Sequence, residues 1–73
     1  MSDEFVLNLE LRDAMAIEMC VAQMVSRELP EPDARHAAET ARAGGWEWYL
    51  IEEHEAEQAL RALHRLGYRV EKT

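Results

Sequence analysis

The sequence predicts an α+β domain of order β-α-α-β-α-β, in which a three-stranded antiparallel sheet carries three helices on one face. Three observations lead there. Two segments, near residues 5–11 and 46–51, alternate apolar and polar side chains with the period of a strand; three others place apolar residues at helical spacing; and proline or glycine marks most of the junctions. With 73 residues, no linker and no internal repeat, the chain reads as a single small domain spanning residues 1–73. So short a chain buries only about 60% of the surface its unfolded form exposes, so it depends on its apolar core or on association with a partner.

The first strand is Phe5 to Leu11, where Phe5, Leu7, Leu9 and Leu11 alternate with Val6, Asn8 and Glu10. Asp13 then stands at an N-cap position, and neither glycine nor proline follows until Pro30, so a helix of about four turns is expected. Its core stripe is Ile17, Cys20, Val21, Met24 and Val25. Met15, Met19 and Ala22 widen the apolar arc, so this helix either packs on two neighbours or leaves a methionine-rich face open.

Leu29-Pro30-Glu31-Pro32 breaks the chain, because proline biases its predecessor away from helical dihedrals. A second helix starts near Asp33, runs through Ala34, Ala37, Ala38 and Ala41, whose small side chains allow close backbone approach, and ends at Gly44-Gly45. The second strand follows as Trp46-Glu47-Trp48-Tyr49-Leu50-Ile51. Trp46, Trp48 and Leu50 share its inward face, which makes Trp48 a principal core residue; Tyr49 and Ile51 project with Val6 from the open face of the sheet. The third helix covers about 54 to 66 through Ala56, Ala59, Leu60, Leu63 and Leu66, with Gly67 closing it. Tyr68-Arg69-Val70-Glu71 forms the last strand.

The stretch Glu55-Ala56-Glu57 through Ala62-Leu63-His64-Arg65-Leu66-Gly67 to Val70-Glu71 resembles the last helix and strand of the C-terminal domain of the bacterial ribosomal stalk protein. Asp33-Ala34-Arg35 with Glu39-Thr40 is similar to that domain's second helix, and Phe5 to Leu9 to its first strand. The same element order belongs to the Clp-protease adaptor family that delivers N-degron substrates, whose Thr-Pro-Met turn is echoed by Asp13-Ala14-Met15. The resemblance implies the α+β architecture and transfers no functional residue. Where the stalk domain has a basic, glycine-containing turn, this chain has the acidic Arg27-Glu28-Leu29-Pro30-Glu31-Pro32-Asp33. Leu9-Glu10 and Arg42 stand where the adaptor uses Asn-Asp and a histidine, and Arg42 repels an amino terminus.

Fifteen acidic against eight basic side chains give a net charge of −7, and 48% hydrophobic content separates the chain from disordered acidic tails. Charge is also segregated: residues 1–57 hold 14 acids and 4 bases, a net −10, whereas residues 58–73 hold 1 and 4, a net +3. Free nucleic acid is repelled by such a balance, and a protein partner with a basic surface is favoured. Acids in the opening MSDEF, the single cysteine and the lack of any membrane-length apolar run lead to the expectation of a soluble, cytoplasmic protein without a membrane partner.

No constellation for catalysis is expected. Cys20 falls on the core stripe, His36, His54 and His64 lack metal-ligand spacing, and Gly44-Gly45 is followed by Trp46-Glu47 rather than by a phosphate-binding Lys-Ser/Thr pair. The sequence therefore predicts no enzyme, no catalytic, cofactor-binding or metal-binding residue, and no cofactor. Glu52, Glu53, Glu55 and Glu57 fall in the first turn of the expected third helix, where the macrodipole favours each by about 0.3–1 kcal/mol. The candidate protein-binding residues are the acids Glu47, Glu52, Glu53 and Glu55, the open-face residues Val6, Tyr49 and Ile51, and the helix residues Met15 and Met19. Those surfaces also admit a homodimer. The expected function is that of a non-enzymatic, small acidic regulator that binds and modulates a larger assembly. The leading expectation, by analogy, is a phage-type inhibitor or modulator of a host nucleic-acid machine such as RNA polymerase or a defence nuclease, and the alternative is an adaptor or stalk-like factor-binding protein.

Overall fold

A computed structural model describes residues 4–69 and holds, among them, three helices and no strand: α1 (Leu9–Ser26), α2 (Glu31–Gly44) and α3 (Glu47–Arg65). The α+β expectation is therefore overturned, together with the architecture implied by the stalk and Clp-adaptor resemblance. Each misread strand has an identifiable cause. At residues 5–11 the alternation gives way to a cap: the Asn8 side-chain oxygen accepts from the Leu11 N–H at 3.0 Å and its carbonyl from the Arg12 N–H at 2.9 Å. α1 thus starts four residues before Asp13, and residues 4–8 run without regular structure.

At residues 46–51 the Trp46 carbonyl accepts from the N–H groups of Tyr49 and Leu50 at 3.1 and 3.0 Å, so a helix begins directly behind it. Tyr49, Ala56 and Leu60 lie on one helical stripe, and that stripe extends the expected third helix backward by seven residues. Without a neighbouring strand the β propensity of Trp46–Ile51 has no ladder to join, and packing decides. At the third expected strand, Tyr68 and Arg69 have no regular structure, while Val70 and Glu71 lie outside the described residues.

α2 conforms more closely. It starts at Glu31, two residues ahead of the expected start, with Pro32 in its first turn, and Gly45 closes it at φ 65°. All three helices end in the same paired-bond motif. Glu28 N–H bonds to Val25 and Leu29 N–H to Met24; Gly45 bonds to Arg42 and Trp46 to Ala41; Gly67 bonds to His64 and Tyr68 to Leu63. The left-handed position is glycine in the latter two cases and Glu28, at φ 70°, in the first.

α1 is the central helix and packs on both others, which touch each other much less. Ion pairs from Arg35 to Glu18 (2.7 Å) and from Arg42 to Asp13 (3.6 Å) run antiparallel between α2 and α1. The Arg12–Glu53 pair at 3.6 Å and the Phe5–His64 ring contact at 5.4 Å do the same for α3. The result is elongated, 45 × 21 × 20 Å. Its core is built largely from small side chains: Ala16, Ala34, Ala38, Ala41 and Ala56 are completely buried beside Ile17, Cys20, Val21 and Leu60. Tyr49 is the one bulky side chain buried to that degree among the described residues. Met15 and Met19, expected as a possible open face, are half-buried and pack against this core with Met24.

Candidate functional site

The first two turns of α3 present two chemically different faces. Reading them as a strand sends Trp48 inward and Tyr49 outward, and the helix reverses both: Tyr49 is 1% exposed, while Trp48 is 40% and Ile51 53% exposed. Trp48 and Ile51, three residues apart, share the outer side. Trp46, just before the helix, is 49% exposed, and its ring meets that of Trp48 edge to face, with centroids 6.1 Å apart. Gly44 makes this placement possible, because a Cβ there would lie 2.4 Å from the Trp46 indole nitrogen. Leu50 is exposed on the same opening turn.

Behind Trp48, a groove of about 410 Å³ runs against the last turns of α1, lined by Cys20, Gln23, Met24, Arg27 and Trp48. Burial, followed by the nearby Glu52 carboxylate, pushes the Cys20 thiol up to about 11, so it stays protonated and unreactive at neutral pH. The groove therefore offers a soft apolar floor rather than a nucleophile.

The expected acid cluster separates into distinct roles. Only Glu47 lies in the first turn of α3, so the macrodipole accounts for Glu47 and not for Glu52, Glu53 or Glu55. Glu53 pairs with Arg12, which also binds Asp13 at 2.8 Å, and Asp13 in turn meets Arg42, a network that joins all three helices. Glu57 holds Arg61 at 3.1 Å. Glu53 thus belongs to the scaffold. Among the described residues, Glu47, Glu52 and Glu55 have neither an ion pair nor a hydrogen bond, and they flank Trp48 and Ile51.

The buried face of the same turns encloses one polar atom. The Tyr49 hydroxyl is enclosed and lacks a hydrogen bond of good geometry, although carboxylates of Glu53 and Asp13 stand near it. Burial first, and those carboxylates second, push the phenol up to about 12.

Val6 lies elsewhere. It lines a second, smaller groove of about 200 Å³ at the other end of α3, with Phe5, Leu60, His64 and Tyr68. There the Arg61 guanidinium lies 4.8 Å from the centre of the Phe5 ring. Val6, Tyr49 and Ile51 therefore do not form one surface: Tyr49 is in the core, and about 20 Å of helix separates the other two. Ile51, expected on the open face of a sheet, stands instead on the outer side of α3 among Glu47, Glu52 and Glu55, whereas Trp46, Trp48, Met24 and Arg27 enter the site unforeseen. The signal for them is the stripe Tyr49, Ala56 and Leu60, which leaves Trp48 and Ile51 on the flank.

Among the described residues no group of three His, Cys, Asp or Glu side chains converges as a metal site, and no helix is long and apolar enough to cross a membrane. Comparison with protein families, curated proteins and solved structures finds no match for the chain.

Proposed function

We propose that the chain is a non-enzymatic protein-binding regulator that docks on a larger assembly through the outer face of α3's opening turns. One observation carries this reading: Trp46 and Trp48, in ring contact, and Ile51, one turn beyond Trp48, stand exposed on one side while alanines fill the core. Large side chains are the ones that stabilise a small fold by burial, at about 1.5–3 kcal/mol each, and here Trp46, Trp48 and Ile51 are turned outward instead. Aromatic residues in such a group are the usual energetic centre of an interface. Glu47, Glu52 and Glu55 around it favour a basic partner surface, of the type that nucleic-acid machines present. An isologous homodimer through this face would set the acids of two copies, each of net charge −7, against one another. The buried, protonated Cys20 suits a reducing cytoplasm.

The test uses the tagged chain as bait, wild type beside Trp48→Ala/Ile51→Ala. A partner retained by wild type, released by the double variant and bound faster at low salt supports the reading. A partner retained equally by both, or an association rate indifferent to salt, contradicts it.

A further inference from the structure

We infer that the groove between the last turns of α1 and the first turns of α3 receives an amphipathic helix of the partner, with lysine or arginine along the edge facing Glu47, Glu52 and Glu55. This rests on the protein-binding reading above and specifies its ligand. The groove walls are two antiparallel helices. Cys20, Gln23 and Met24 of α1 and its cap residue Arg27 line the groove at i, i+3, i+4 and i+7, and Trp48 lines it from α3, where Ile51 and Glu55 continue the Trp48 stripe at i+3 and i+7 beyond the groove. Ridges with that spacing form the complement of another helix. An extended segment would bring unpaired backbone N–H and C=O groups to a surface that, among the described residues, has no strand edge to receive them. A helix carries its backbone bonds internally. The floor of Cys20, Met24 and Trp48 is apolar and, through methionine, adaptable to the anchor it meets.

Charge orients the occupant. Arg27 lines the groove at the end of α1, whereas on α3 Glu52 and Glu55 stand at i+4 and i+7 from Trp48, Glu52 near enough to act on the Cys20 thiol, and Glu47 directly precedes Trp48. A helix basic on both edges meets Arg27 unfavourably, so the opposite edge is neutral or acidic. The same arrangement disfavours a second copy of this chain as occupant, because its own exposed acids would face those of α3.

The experiment titrates isotope-labelled protein with synthetic peptides of about 18 residues, long enough to span both walls. The first has a leucine face with lysine on one edge and glutamine on the other; the second replaces lysine by glutamate; the third keeps lysine but has a central proline. The lysine peptide is expected to bind saturably, shifting the Trp48 indole N–H and the amides of residues 20–27. The glutamate and proline peptides should bind at least about tenfold more weakly, as should the lysine peptide to Glu52→Lys/Glu55→Lys, whereas Arg27→Glu should tighten it. Equal binding of the proline or glutamate peptide, shifts confined to the Phe5–Tyr68 groove, or no saturable binding overturns the inference. Trp48-dependent capture of a partner in the absence of peptide binding would overturn the helical ligand alone; loss of both would remove the protein-binding reading with it.

Discussion

Tyr49 and Trp48 are neighbours in sequence and opposites in role. Tyr49 is the bulkiest side chain fully enclosed among the described residues, surrounded by a core of alanines, and Trp48 stands on the outer flank beside an open groove. The two faces of one short helical stretch thus divide the work: the inner face fixes α3 on α1, and the outer face holds apolar surface that the fold does not use. Where a small domain closes its core with alanine and leaves tryptophan outside, the surface carries more information about function than the interior.

Truncating each residue breaks the comparison most directly. Tyr49→Ala is expected to destabilise by about 3–5 kcal/mol, enough to unfold most molecules of so small a domain, whereas Trp48→Ala should lose less than about 1.5 kcal/mol. Urea denaturation followed by far-ultraviolet circular dichroism gives both values, and equal midpoints would show that the faces are misassigned.

A smaller effect separates buried from exposed alanine. Ala38 is completely buried between α2 and α1, so Ala38→Leu should overpack that contact and destabilise by about 1–3 kcal/mol. Ala59 is exposed on α3, and Ala59→Leu should stay within about 0.5 kcal/mol of wild type.

Alkaline titration sharpens the division by chemistry. Folding raises the Cys20 thiol to about 11 and the Tyr49 phenol to about 12, so the unfolded chain releases these protons first. Their contribution is complete below the unfolded values and is lost as pH rises through the window from about 9 to 12, with each group able to remove up to about 1.4 kcal/mol per pH unit. Tyr49→Phe, which deletes an unpaired buried hydroxyl, should be as stable as wild type or slightly more so at pH 7, and less sensitive to alkali. A steeper alkaline loss in the phenylalanine variant would contradict the burial of that hydroxyl.

The smallest effect tests the helix ends. Glu28 occupies the left-handed position that glycine fills at Gly45 and Gly67, so Glu28→Gly should stabilise by about 0.5–1 kcal/mol, read as a higher urea midpoint.

Legibility in the sequence follows from how many periods a segment offers. α2 was readable because prolines, a glycine pair and Ala34, Ala38 and Ala41 all point to one helix, and its alanines are buried as their spacing implies. The stripe Ile17, Cys20 and Val21 of α1 and Ala56 and Leu60 of α3 are equally clear, whereas Val25, Ala59 and Leu66, which the same spacings place in the core, are exposed. Trp46–Ile51 was not: six residues rich in β-formers fit a period of two, and only their continuity with Ala56 and Leu60 identifies a helix. Reading period two onto that helix exchanges Tyr49 with Trp48. It also places Glu52, Glu53 and Glu55 in a first turn that they do not occupy. Charge and apolar character mark Glu47, Glu52, Glu55 and Ile51 in the sequence as candidate surface residues, but period two assigns the exposed Trp46 and Trp48 to the core.

Hydroxyl-radical footprinting of the chain, alone and then bound to a captured partner, tests the division of α3 most directly, because it reports both faces in one measurement. The expected result is rapid oxidation of Trp46 and Trp48 and negligible oxidation of Tyr49 in the free chain, with the tryptophans alone becoming protected, by about fivefold or more, in the complex. Oxidation of Tyr49 as fast as Trp48 in the folded free chain, or tryptophan labelling unchanged by the partner, would contradict the account.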